Sequence, residues 1–220
     1  MNYTKNIGAL IALACGSIVS AGDVQWLAAG DSVTGLSGTD NQLTPELIGV
    51  VLDDSLYNFS IFADPEGIDE TVLYEGTFMT RVVRSFETGK LTFNYLLTES
   101  NSQLAGLISH IEISGYAGWE SRVEYRNDAT APGDEGPSDA SRSSDGNMID
   151  FDFGTLLDSG EDSRFFFVMT DAETFNENIS IATVYLQSGE SVSFDIGAVP
   201  TPGALGLLSI AGLITARRRR

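Results

Sequence analysis

The side chains most able to do chemistry in this chain are carboxylates: 31 Asp and Glu stand against 12 Lys and Arg, for a formal charge of −19. Hard oxygen ligands at such density recruit calcium. They gather in 127–147, where Asp134, Glu135, Asp139, Asp145 and Asn147 are the candidate calcium ligands, and in a second group of Asp64, Glu66, Asp69 and Glu70. Neither group has the ligand spacing of an EF-hand. The competing reading is a solvated acidic face that keeps the chain soluble. Paired carboxylates also hydrolyse glycosides, one protonating the leaving oxygen while the other attacks or activates water. Among 31 acids chance pairs are guaranteed, so no catalytic residue is nominated.

Other chemistries have little to work with. One His, His110, and one Cys, Cys15, exclude a His-rich zinc site, an intrachain disulfide and any triad lacking His110. The alternation of residues puts His110 on the face of Glu112, opposite Ile111 and Ile113, as an exposed surface residue. No Gly-rich phosphate loop, Gly-x-Ser-x-Gly elbow or His-Glu-x-x-His helix is present. The negative charge excludes an unaided grip on nucleic-acid phosphates. Trp119, Tyr116, Tyr125 and Tyr185 would stack on sugar rings if they lined an exposed sheet face, but Trp119 and Tyr125 fall on the apolar side of their segment, which favours the core.

The elements that must position these groups are strands. Trp119, Ser121, Val123 and Tyr125 alternate with Glu120, Arg122, Glu124 and Arg126, a period of two. Ile149, Phe151 and Phe153 alternate with Asp150 and Asp152, and Val192, Phe194 and Ile196 with Ser191, Ser193 and Asp195. Noisier stretches over 56–63, 71–76, 78–84, 90–98, 108–115, 164–170 and 179–187 bring the expectation to about ten strands. Turn chemistry separates them at Asp64-Pro65-Glu66-Gly67, Glu87-Thr88-Gly89-Lys90, Asp158-Ser159-Gly160 and Ser188-Gly189-Glu190. With no helix to cover a parallel sheet, an all-β antiparallel β-sandwich of jelly-roll type is expected over 22–198, a closed barrel being the alternative. Residues 22–47 read as a loose first strand with loops. The stretch 127–147, almost without apolar residues, reads as a long mobile loop or an ion or ligand site.

Both ends read as addresses. Lys5, the apolar run from Ile7 to Ala14 and the small residues before a cut between Ala21 and Gly22 form a signal-peptide pattern over 1–21. Lipoprotein cleavage at Cys15 is the alternative, against which Ala12 stands where Leu is usual. At the other end, Val199-Pro200-Thr201-Pro202-Gly203 precedes an apolar stretch over 204–216 and then Arg217, Arg218, Arg219 and Arg220. A helix over those 13 residues spans about 20 Å, short of a hydrocarbon core of about 30 Å. The four arginines resist translocation and hold the tail inside while the body crosses. Without Lys5 and these arginines, 7 basic residues face all 31 acids.

The proline-bracketed motif, short apolar helix and arginine cluster over 199–220 resemble the PEP-CTERM sorting signal of Gram-negative bacteria. Val199, Pro200 and Pro202 match its usual Val-Pro-Glu-Pro core, and Thr201 departs from it at the Glu. The resemblance implies processing by an exosortase, a membrane-embedded cysteine protease, and less directly an exopolysaccharide setting. A plain tail anchor would keep the same orientation. The expected function is that of an exported cell-surface or matrix protein of structural or adhesive type. A calcium-dependent carbohydrate-binding module and a matrix glycan hydrolase are the alternatives.

Overall fold

The computed structural model describes residues 22–64, 71–128, 133–176, 180–197 and 199–201. The signal segment, with Ala21, and the tail from Pro202 lie outside the described residues, as do Glu66, Asp69 and Glu70. Among the described residues no helix is long and apolar enough to cross a membrane. The strands in chain order are β1 (Gln25–Trp26), β2 (Ser32–Thr34), β3 (Gly49–Phe62), β4 (Val72–Ser85), β5 (Leu91–Thr98), β6 (Leu107–Ile113) and β7 (Ser121–Tyr125). There follow β8 (Asp139–Arg142), β9 (Ile149–Asp158), β10 (Phe166–Thr170), β11 (Thr174–Asn176), β12 (Ser180–Leu186), β13 (Ser191–Ile196) and β14 (Val199–Thr201). Twelve of them make two antiparallel six-stranded sheets, ordered β1-β7-β10-β5-β4-β3 and β13-β12-β6-β9-β8-β2; β11 and β14 form a separate ladder.

The two sheets close on one apolar core because each offers it one row of alternating side chains. Phe78, Phe93, Tyr95, Val123 and Phe166 come from the first sheet, and Ile111, Ile113, Phe151, Phe153 and Val184 from the second. Phe151 and Phe166 meet across the gap with ring centroids 4.9 Å apart. Each such buried side chain contributes about 1.5–3 kcal/mol of transfer free energy. At the centre the hydroxyls of Tyr95 and Tyr116 hydrogen-bond to each other, so that neither phenol enters the core unpartnered. Burial pushes both hydroxyls above the ordinary tyrosine value.

The strands exceed the expected ten because the additional ones are short, and the bounds of two others also differ. Strands of two to four residues, β1, β2, β8, β11 and β14, carry too few side chains to display a period. The expected stretches 71–76 and 78–84 run on as the single strand β4, and β3 begins well before 56 because a register shift between Val51 and Asp53 breaks its alternation. The turns at Glu87–Lys90, Asp158–Gly160 and Ser188–Glu190 lie between strands as expected. Gly189 sits at φ 105°, in the left-handed region where a side chain is strained.

The stretch 127–147 is not one long loop. Asp139–Arg142 form β8, paired with β2 on one side and β9 on the other. Residues 22–47 likewise do more than supply a loose strand. They cross from the β1 edge of one sheet to the β2 edge of the other and return over the outer face of the first, where Leu47 buries Phe167 and Met169. All five residues of β10 are therefore buried, on both faces.

Candidate functional site

The candidate calcium ligands take up separate structural duties. Asp134 Oδ2 accepts the Asp162 amide at 3.0 Å, and the main chain of Glu135 forms a β-bridge to Ser163, its carbonyl accepting the Arg164 amide at 2.7 Å. Asp139 accepts the Gly35 amide at 3.1 Å and the Ser138 hydroxyl at 2.6 Å. Asp145 Oδ1 caps its own turn, accepting the Ser143 hydroxyl at 2.6 Å and the Asn147 amide at 2.9 Å, while Asn147 Oδ1 accepts the Gly115 amide at 3.2 Å. Among the described residues no three His, Cys, Asp or Glu side chains gather as a metal ion requires.

A denser polar group, unforeseen as a cluster, lies on the outer face of the second sheet. Register places His110 beside Asp152 and Tyr185, and Glu112 beside Asp150. The His110 and Tyr185 rings stack at 4.2 Å, and the Tyr185 hydroxyl donates to Glu112 at 2.7 Å. That bond and burial push the tyrosine up to about 12. Burial pushes the Asp150 carboxyl up to about 6; His110 opposes the rise, and Glu112 and Asp152 add to it. His110 shares the face of Glu112 as expected, but it is half-buried rather than exposed.

Two of the clefts lie elsewhere, on either side of Trp26. Trp26 is 62% exposed and stands opposite Arg122 in the β1–β7 ladder, with the guanidinium 5.4 Å from the ring centroid. Glu46, next to the buried Leu47, holds Arg122 at 3.2 Å. One cleft, of about 330 Å³, is lined by Trp26, Glu46, Thr88, Glu120, Arg122 and Asp171. The other, of about 620 Å³, is lined by Trp26, Asp31, Trp119, Glu120, Arg142 and Asp145. Trp26 and Glu120 belong to both and form the rim between them.

The second cleft is built around Arg142, which the acid-rich turns would not suggest. Its side chain points inward from β8 and donates to four carbonyls: Gly146 at 2.9 Å, Leu27 at 3.0 Å, Tyr116 at 2.7 Å and Trp119 at 2.8 Å. Burial lowers the guanidinium below its ordinary value. Only Arg presents enough donors in one plane to satisfy so many acceptors.

The aromatic residues divide differently from their sequence pattern. Tyr116 is wholly buried, Tyr185 is half-buried against His110, and Tyr125 is half-buried. Trp119 precedes β7 instead of belonging to it, which frees it from the core face and leaves it half-buried in the cleft wall. Trp26 escaped notice because a two-residue strand shows no alternation; scarcity was the available signal, since the chain has only two Trp. Comparison with protein-family models, curated proteins and solved structures finds no match to this chain.

Proposed function

We propose that the chain is an exported, exosortase-sorted protein that serves at the cell surface or in the extracellular matrix as a structural or adhesive component. Its body would be a β-sandwich wound in the jelly-roll manner, a reading supported by β5, β6 and β7, which change sheets at each step. Its partners would be an exosortase-like membrane protease and exopolysaccharide, with the membrane engaged through 204–216 before processing.

One observation carries the sorting reading. Among the described residues the last side chain of the core cluster is Ile196, while Val199, Pro200 and Thr201 follow it in the small β11–β14 ladder. A cut within Val199–Gly203 would free the tail without opening the core. Pro200 contributes no N–H to that ladder, as suits a strand with one unpaired edge. Mass spectrometry of the protein released by its native cells tests the reading. The expected product lacks residues 1–21 and everything beyond the 199–203 motif; Arg220 on the mature extracellular protein would overturn the processing.

A further inference from the structure

The geometry points to a binding site for neutral polysaccharide across the two clefts, with Trp26 as the stacking platform and Trp119 as a second contact. The inference supplies a partner class for the matrix protein proposed above and takes its biological setting from that reading.

A pyranose ring has an apolar C–H face and a rim of hydroxyls, so its recognition needs an exposed flat aromatic ring with acceptors and donors around it. Trp26 supplies the ring, and it is held before any ligand arrives. The guanidinium of Arg122 lies over it, and Glu46 fixes Arg122 in turn. An indole so held, with only two side-chain torsions, loses little freedom on binding. Around it stand hydroxyl partners of both kinds: carboxylates of Glu120 and Asp171, the Thr88 hydroxyl and the Arg122 guanidinium on one side, and Asp31 and Asp145 on the other. The volumes, about 330 and 620 Å³, suit bound rings. Because one Trp26–Glu120 rim borders both clefts, a glycan chain crossing the rim occupies both.

Charge selects against acidic glycans. Among the described residues, the cations of the first cleft are already engaged, Lys90 with Glu173 at 2.8 Å and Arg122 with Glu46 at 3.2 Å. The Arg142 guanidinium in the second is spent on four carbonyls. A uronate or sulfate would meet Glu120, Asp171, Asp31 and Asp145 with no free positive charge to offset them.

The test uses the full chain in a non-glycosidic detergent, titrated with hexasaccharides of β-1,4-glucan, β-1,3-glucan and β-1,4-mannan, and with oligogalacturonate, read by calorimetry and tryptophan fluorescence. At least one neutral hexasaccharide binds with a change in emission, and oligogalacturonate binds more weakly. Trp26→Ala weakens the neutral ligand about tenfold or more, Trp26→Phe recovers part of the loss, and Leu56→Ala, at an exposed residue of β3, changes nothing. The inference is overturned if no neutral hexasaccharide binds, if Trp26→Ala binds as tightly as the parent, or if oligogalacturonate binds best. A protein trimmed and exported as proposed that fails this titration loses the glycan site and keeps the sorting reading; a chain that binds yet retains Arg220 outside the cell does the reverse.

Discussion

Arg142 donates from Nη2 to the main-chain carbonyl of Trp119 at 2.8 Å, and from Nη1 to that of Leu27, the neighbour of Trp26, at 3.0 Å. A single guanidinium thus sets the spacing between the two segments that carry the tryptophans. The arrangement ties a buried residue of the second sheet to the edge of the first, and the cleft between them takes its shape from that tie.

Replacing this group tests the tie. Lysine brings three donors on a flexible stem in place of a planar fork and cannot serve all four carbonyls. Arg142→Lys should cost about 2 kcal/mol or more in urea unfolding and shift the tryptophan emission. A loss below about 0.5 kcal/mol, the range of ordinary surface substitutions, would show that the carbonyls do not depend on it.

The pH dependence of stability should report Asp150. Its carboxyl is pushed from 3.8 to about 6, so the folded chain binds this proton more tightly than the unfolded one. The stabilisation is complete below about pH 4 and is lost as pH rises through about 6. Asp150→Asn removes this dependence. Its melting temperature relative to the parent should therefore climb between pH 4 and pH 7, the variant being the more stable at neutral pH. A difference that stays constant over that window would contradict the assignment.

Glu124 is fully buried under residues 37–39 in spite of its place in the polar row of β7. It accepts the amides of Gly38 at 3.0 Å and Tyr125 at 3.1 Å through Oε1, while Oε2 has no partner among the described residues. Burial raises its carboxyl above the ordinary value despite those bonds. Glu124→Ala orphans both amides and should cost about 1–3 kcal/mol; Glu124→Gln keeps the acceptor and should cost less. Amide exchange at Gly38 should quicken in the alanine variant and not in the glutamine variant. Equal exchange in the two would refute the role.

Gly49 opens β3 where no side chain fits. A Cβ there would lie 2.0 Å from the Arg84 carbonyl oxygen, a backbone atom that cannot step aside. Gly49→Ala should lower stability by about 1–3 kcal/mol and fray the start of the β3–β4 hairpin. Unchanged amide protection at Phe86, whose N–H donates to the Ile48 carbonyl at 2.9 Å, would show that the strand tolerates the methyl.

Much of the sandwich was legible because a strand with one wet face writes its burial into every second residue. Ile111 and Ile113 against His110 and Glu112, or Phe151 and Phe153 against Asp150 and Asp152, show that pattern, and the structure places each pair as the alternation requires. The pattern fails where neither face is simply wet or dry. All of β10 is buried, the start of β3 leaves Val50, Val51 and Leu52 exposed together, and β8 buries an arginine.

By itself the sequence determined the all-β class, the turns at 87–90, 158–160 and 188–190 and the acidic charge, since these follow from local alternation, turn residues and composition. Only the tertiary structure decided that Glu124 lies under a returning segment, that Arg142 gathers four carbonyls and that Trp26 shares a rim with Glu120. Those relationships join residues distant in the chain through short strands and loops. There, the packing of the other sheet rather than any periodicity of the segment sets which side chain meets water.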